Sequence, residues 1–409
     1  MGGLVELKAN IATLDREVEN IYYNIKVPLE IAVLLDDNDK KRVDILNFLN
    51  EAVNILDLRK PFSVCFTNSV KDSNNFLQEK FYNKYCGCDE VIATCVGHTH
   101  IDVAWLWTLS QTREKTARSF STVLKLMEQY PEYIFMSSQP QLYKFVKEDY
   151  PEVYEKIKER IKEGRWEPEG AMWVEADCNL SSGESLVRQI LFGTRFFEKE
   201  FGVKNKILWL PDVFGYSAAL PQILKKSGID YFMTTKISWN EYNKIPYDTF
   251  MWKGMDGTEI LTHFITTSDY QNPIKSHFTT YNGDLKPIEV MGSWQRYQQK
   301  DINNDVLISF GHGDGGGGVT KEMLEKARRM EKGIPGCPKV KIGKSLDYFI
   351  DLENKVSNNK RLPKWTGEMY LEYHRGTYTS MARNKKYNSY FAGEKCLQPL
   401  MDKYLCSLK

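Results

Sequence analysis

Val91-Ile-Ala-Thr-Cys-Val96 runs straight into Gly97-His98-Thr-His100-Ile-Asp102-Val-Ala-Trp105, an apolar stretch that ends in imidazoles and a carboxylate. A short uncharged run bounded by polar residues reads as a strand buried on both faces. The pattern recurs at Tyr133-Ile-Phe-Met136, Ile207-Leu-Trp-Leu210, Tyr231-Phe-Met-Thr234, Glu259-Ile-Leu-Thr-His-Phe264 and Val306-Leu-Ile-Ser-Phe310. Charged, amphipathic stretches lie between these runs. They predict helices over Ser119 to Gln129, Tyr150 to Glu163, Gly183 to Phe201, Leu220 to Ser227 and Thr320 to Lys332. Two of them stop at a glycine, Gly164 and Gly202, as helices often do. Strand–helix alternation of this kind predicts an α/β fold with a parallel sheet and helical crossovers. Such folds gather their chemistry where the strands end, so the polar residues after each apolar run are the candidates.

Upstream of residue 85 the character is different. Apolar residues at helical spacing, among them Val43, Ile45, Leu46, Leu49 and Val53, predict helices with no paired polar groups of obvious chemistry. The whole chain, 409 residues, carries 55 basic and 54 acidic side chains. That balance excludes a strongly basic nucleic-acid surface. No apolar run approaches the roughly 20 residues that span a bilayer. The first residues, Met-Gly-Gly-Leu-Val-Glu, lack the pattern of a secretory signal. Eight scattered cysteines, with Cys86 and Cys88 in a Cys-x-Cys that fits no common zinc or redox spacing, read as reduced thiols in a cytoplasmic protein.

Four segments offer chemistry. In an extended segment side chains two apart share a face, so His98, His100 and Asp102 point the same way. An imidazole and a carboxylate together supply two ligands for Zn²⁺ or a similar divalent ion, with a third residue in support. The competing reading is a pair of structural histidines beside a turn. Asp212, in Trp209-Leu-Pro-Asp212-Val-Phe-Gly215-Tyr216, again follows a strand and is a candidate nucleophile, base or third metal ligand. The alternative, a helix N-cap, is weakened by Gly215, which would fall in the first turn. Gly311-His312-Gly-Asp314-Gly-Gly-Gly-Gly318 lacks the lysine of a phosphate-binding loop and the Rossmann spacing. Its glycines instead let backbone approach a bulky ligand. His312 and Asp314 are then ligand contacts, against the alternative of a flexible loop with solvated polar residues. In Trp365-Thr-Gly-Glu368-Met-Tyr-Leu-Glu372-Tyr-His374, alternation puts Glu368, Glu372 and His374 on one face. A glutamate there is a candidate general acid, and an exposed alternating strand is the rival reading.

At these residues the chain resembles the α-mannosidases of glycoside hydrolase family 38. The resemblance is carried by His98-x-His100-x-Asp102-x-x-Trp105, Gly164-Arg-Trp-Glu-Pro168, Trp173-Val-Glu-x-Asp177 and Ser182-Gly-Glu-Ser-Leu-Val-Arg188. Trp209-Leu-Pro-Asp212-x-Phe-Gly215, the Gly311–Gly318 run and Trp365-x-Gly-Glu368 continue it in family order, over roughly residues 90 to 385. The glycine-rich form is similar to the bacterial, vacuolar and cytosolic branch. The resemblance implies a seven-stranded β/α barrel over 89–385, a helical N-terminal extension over 1–88 and the start of a helical region over 386–409. It implies one zinc, with Co²⁺ as the alternative ion. The implied activity removes terminal α-linked mannose from oligosaccharides, retaining configuration through a covalent mannosyl-enzyme. Position by position, His100 and Asp102 match metal ligands, and Asp212 matches the nucleophile, which also ligates the metal. Trp105 matches the aromatic under the sugar and Asp314 a carboxylate on sugar hydroxyls. His312 and His98 are further substrate-side candidates. Glu368 falls where the acid/base carboxylate falls, with Glu372 close enough to compete. A mannose-containing oligosaccharide is the implied partner, with no nucleic acid or membrane, and a homo-oligomer is compatible.

The family's remaining metal ligand is a histidine downstream of Thr377-Tyr-Thr379, and no histidine follows His374 here. Family members also continue into a helical bundle and β-sandwich domains. The expectation is therefore an N-terminal catalytic fragment that binds zinc weakly. Other expectations are a different metal-dependent barrel enzyme, such as a family 57-like amylase or a sugar deacetylase, or a fragment that binds sugar or metal without turnover.

Overall fold

A computed structural model describes residues 13–87, 90–269 and 279–375. Cys88 and the helical region expected over 386–409 lie outside them. The helices are α1 (Arg16–Leu34), α2 (Lys40–Ile55), α3 (Val64–Phe76), α4 (Leu109–Gln129), α5 (Pro140–Asp149), α6 (Pro151–Lys162), α7 (Gly183–Phe201), α8 (Leu220–Lys226), α9 (Pro287–Arg296), α10 (Lys321–Met330) and α11 (Ser345–Val356). The strands are β1 (Ile92–His98), β2 (Phe135–Ser137), β3 (Trp166–Pro168), β4 (Ile207–Leu210), β5 (Gly215–Tyr216), β6 (Tyr231–Thr234), β7 (Thr249–Lys253), β8 (Glu259–Phe264), β9 (Asp305–Phe310), β10 (Lys339–Ile342), β11 (Lys364–Thr366) and β12 (Met369–Tyr370).

Local chemistry sets the boundaries. Helix α4 begins at Leu109, well before the expected Ser119, because Thr108 and Gln111 form a reciprocal capping box. Helix α7 starts where the Ser182 hydroxyl accepts from Ser185 N–H, and stops at Gly202, whose φ of 71° suits glycine. In α2 the buried face is Ile45, Leu49 and Ala52, whereas Val43 and Val53 of the expected stripe face solvent. Helices α1 to α3 bury their apolar sides in the same core as β1, β9 and α10. A second core lies under α7, α8 and the β4, β6 and β8 strands.

Five strands, β10, β1, β2, β3 and β9, pair in parallel as one sheet, with β1 central. A second sheet has the order β11-β7-β8-β6-β4; β4, β6 and β8 run parallel, and β7 is antiparallel to β8. The two do not join in a continuous ladder, so the closed ring of a seven-stranded barrel is not formed by strand pairing. Between β3 and β4 there is an isolated bridge, Gly170 to Leu208, and side chains supply much of the rest. Glu169 Oε1 accepts from the N–H groups of Lys206 at 3.0 Å and Ile207 at 3.1 Å, and Asn205 Nδ2 donates to the Pro168 carbonyl at 3.0 Å. A side-chain carboxyl group has taken the place of backbone carbonyls at this seam.

Glu169 is fully buried, and desolvation, reinforced by Glu167, pushes its carboxyl up to about 8 against three backbone N–H bonds that oppose the shift. Its folded pKa lies above its unfolded one. The folded state thus holds a proton that the unfolded state gives up, and Glu169 costs stability as pH rises from about 4.5 to 8. Glu169→Gln keeps an acceptor oxygen and removes the titration. Relative to wild type, the variant is expected to gain stability across this window by up to about 1.4 kcal/mol per pH unit. Chemical denaturation at pH 5 and pH 8 measures the difference. A gap between the two proteins that does not widen with pH rules this account out.

Candidate active site and metal centre

The residues of the site all follow C-terminal ends of parallel strands: His100 and Asp102 after β1, Glu175 after β3, Asp212 after β4, Lys236 after β6, Tyr281 after β8 and Asp314 after β9. Register brings the first and last together. Strand β1 pairs with β9 through Gly97 and Phe310, and the chains stay adjacent beyond it. Ile101 bridges Gly315, and Asp102 N–H donates to the Asp314 carbonyl at 2.9 Å. The glycine-rich run folds back on itself through reciprocal backbone bonds between His312 and Gly318, each 2.8 Å. Close approach explains its composition: a Cβ on Gly311 would sit 2.1 Å from the His98 carbonyl, and Gly311 has φ 128°.

His100 is the hub. It is 3% exposed. Its Nδ1 lies 3.0 Å from Glu175 Oε2, and its Nε2 lies 3.2 Å from Asp102 Oδ1 and 3.4 Å from Asp212 Oδ2. Burial alone would lower its pKa, but Glu175, Asp102 and Asp212 outweigh burial and hold it well above the ordinary histidine value. Asp212 Oδ1 lies 2.8 Å from Lys236 Nζ. Burial raises this carboxyl, yet His100 and Lys236 bring it down to about 2. Asp314 accepts from Tyr281 OH at 3.0 Å and Asn282 Nδ2 at 3.2 Å.

Among the described residues, His100, Asp102 and Asp314 bring one ligand atom each within 4.8 Å of one another. An imidazole among carboxylates suits a divalent cation. Glu175 on the far nitrogen is the carboxylate–histidine support such ligands use. This cluster differs from the ligand set His100, Asp102 and Asp212 carried over from the family. Asp314, expected on sugar hydroxyls, stands among the donors, while Asp212 is shared between His100 and Lys236.

The other candidates are more dispersed. Trp105 stands at the rim, 61% exposed, edge-on to Trp107. The His312 side chain is largely exposed, 3.8 Å from Asp284. His98 is buried, bonded through Nδ1 to the Met136 carbonyl at 3.0 Å and edge-on to Trp209. Glu368 is exposed just before β12, whose Met369 pairs with Tyr216. Glu372 faces elsewhere: it accepts from the N–H groups of Glu241 at 2.7 Å, Tyr242 at 3.0 Å and Asn243 at 2.6 Å, and from Asn243 Nδ2 at 2.8 Å. Partial burial raises its carboxyl, but these donors outweigh it and leave it below the ordinary glutamate value. Sequence reasoning missed Glu175, Lys236 and Tyr281 as site residues. Glu175 lay inside a quoted motif. Lys236 is the polar residue after an apolar run, the very position worth inspecting.

Fold and donor set define an α/β protein with an acidic, imidazole-containing centre at its strand ends, of a kind suited to a divalent cation. A profile described as glycosyl hydrolases family 38 N-terminal domain matches residues 90–368, and the chain belongs to that family. It is 39% identical over 385 residues to alpha-mannosidase G of Dictyostelium discoideum, covering 93% of this chain and 33% of that protein. It is 38% identical to alpha-mannosidase 2C1 of Homo sapiens (93% and 34%) and 37% identical to alpha-mannosidase of Saccharomyces cerevisiae (93% and 35%). The chain thus spans about a third of the length of these curated relatives. An alpha-mannosidase from Enterococcus faecalis V583 shares the fold, with TM-score 0.54 and 19% identity over 68% of this chain and 31% of that one. No helix among the described residues is long and apolar enough to cross a membrane.

Proposed function

We propose that this chain is the catalytic part of a retaining, metal-assisted α-mannosidase acting on terminal α-linked mannose. One observation carries the reading: in a family 38 chain, His100, Asp102, Asp212 and Asp314 converge at the strand ends, with Asp212 ionised and oriented. Asp212 attacks the anomeric carbon, and the carbon–oxygen bond to the leaving sugar breaks as Glu368 protonates that oxygen. Water then hydrolyses the mannosyl ester, Glu368 now acting as base. The exposure of Glu368, against the four donors that saturate Glu372, supports Glu368 as the acid. Trp105 forms the platform for the mannose ring, with Asp314 and His312 at its hydroxyls and His98 supporting from behind. Zinc, or cobalt in its place, held by His100 and Asp102 with Asp212 or Asp314, would supply a Lewis acid that binds sugar hydroxyls.

The accompanying architecture is a seven-stranded barrel with β1, β2, β3, β4, β6, β8 and β9 as staves, over 89–385. A helical extension containing α1 to α3 precedes it. The parallel pairing and the isolated bridges Gly170–Leu208 and Gly283–Phe310 support it. A reducing, cytoplasmic setting belongs to this reading; Cys95 and Cys178 are buried thiols. An amylase or deacetylase reading is not favoured by the family match.

Hydrolysis of 4-nitrophenyl α-mannoside tests the function. Activity is expected to disappear on chelation and return with Zn²⁺ or Co²⁺. Should neither this chain nor a C-terminally longer version hydrolyse the substrate with either ion, the reading fails.

A further inference from the structure

We propose that Lys236 is a positioning residue that fixes how Asp212 is presented and holds down the centre's affinity for a divalent cation; this rests on the metal-assisted reading above. Lys236 follows β6, and its Nζ lies 2.8 Å from Asp212 Oδ1. The other oxygen, Oδ2, is turned to His100 Nε2 at 3.4 Å. The two oxygens of one carboxylate therefore have different partners.

The lysine is itself held. Its side chain is 7% exposed, and Nζ lies 3.6 Å from the centroid of the Trp239 ring, with the Phe214 and Tyr281 rings each at 5.6 Å. Aromatic faces attract a cation, more strongly where water is excluded. So clamped, the ammonium has two effects. It sits 2.8 Å from Oδ1, so a bound ion meets the ammonium on that side and Oδ2 is the oxygen turned toward it. It also sets a positive charge one carboxylate away from that ion, and the repulsion is poorly screened at this depth. Without it, the carboxylates of Asp102, Asp212 and Asp314 would face a bound ion beside the His100 ring with no ammonium among them. That arrangement binds a cation tightly and ties up the carboxylate that has to attack.

The full chain and its Lys236→Met, Lys236→Gln and Lys236→Arg variants are stripped with chelator and titrated with Zn²⁺ by calorimetry at one pH and salt concentration. The two neutral variants are expected to bind about tenfold more tightly or better, and their kcat for an aryl α-mannoside to fall. The arginine variant keeps the charge and is expected to stay within about threefold of wild type in affinity. A merely structural lysine would lower affinity and melting temperature together when removed. Lys236→Gln retains a donor to Asp212 and decides the matter if the methionine variant misfolds. If neither this chain nor the C-terminally longer version takes up a cation, the metal reading itself fails and the Lys236 assignment falls with it. If wild type binds and the neutral variants bind equally or more weakly, the Lys236 assignment fails alone.

Discussion

Asp212→Asn is expected to lower kcat for an aryl α-mannoside by on the order of 10⁴-fold, with the melting temperature nearly unchanged. The amide matches the carboxylate in shape and can still accept from Lys236, so the packing at the end of β4 survives. Lost is the negative oxygen that forms the bond to the anomeric carbon. Two measurements check this. Steady-state rates give the loss, and mass spectrometry after treatment with an activated fluoromannoside reads the adduct on the peptide containing Asp212. A folded variant that turns over within tenfold of wild type, or an adduct mapped to another carboxylate, removes Asp212 from the role.

Glu368 and Glu372 should separate cleanly. Glu368→Gln removes a proton donor, and its rate on a substrate with a poor leaving group is expected to fall by roughly 10² to 10⁴-fold. A dinitrophenyl mannoside, which leaves without protonation, should be spared in the first step. Glu372→Gln acts elsewhere. Its carboxylate gathers the N–H groups of Glu241, Tyr242 and Asn243, and an amide cannot accept through both atoms. One or more donors are left unmet at roughly 1 kcal/mol or more each. The expected result is a lower melting temperature with the leaving-group dependence of wild type. Reversal of the two patterns would exchange the roles of the two glutamates.

Much of this organisation is written in the chain as hydrophobic pattern. Strands β4, β6 and β8 and helix α7 coincide with uniform runs or clean caps, and the structure gives them the expected limits. Strand β3 escapes such reading because Trp166-Glu-Pro168 has a buried glutamate at its centre, which caps α11 through Ser345 and Leu346. Helix α5 opens on Pro140 with no side-chain cap, so the proline alone marks its start. At the site, the strand-end rule picks out His100, Asp102, Asp212 and Asp314 individually. It cannot say that Asp314 sits among the donors, because the hairpin of backbone bonds at Gly311–Gly318 decides that. Nor can it find the partner of Lys236, which comes from the neighbouring strand β4 and not from its own segment.

The seam between β3 and β4 has a wider meaning. His100, Asp102, Asp314 and Glu175 follow strands of one sheet; Asp212 and Lys236 follow strands of the other. The sheets are tied there by an isolated bridge and by the side chains of Glu169 and Asn205, and Val96, Met136 and Leu307 of one sheet share a core with Ile207, Trp209, Met233 and Leu261 of the other, so the spacing of the two groups of candidate residues rests on side-chain contacts more than on a ladder. Cohesion of the two halves and occupancy of the centre are therefore linked functions. A substitution at Glu169 or Asn205 is expected to shift the spacing of His100 and Asp212, and by reciprocity anything that bridges those two side chains is expected to stiffen the joint between the sheets.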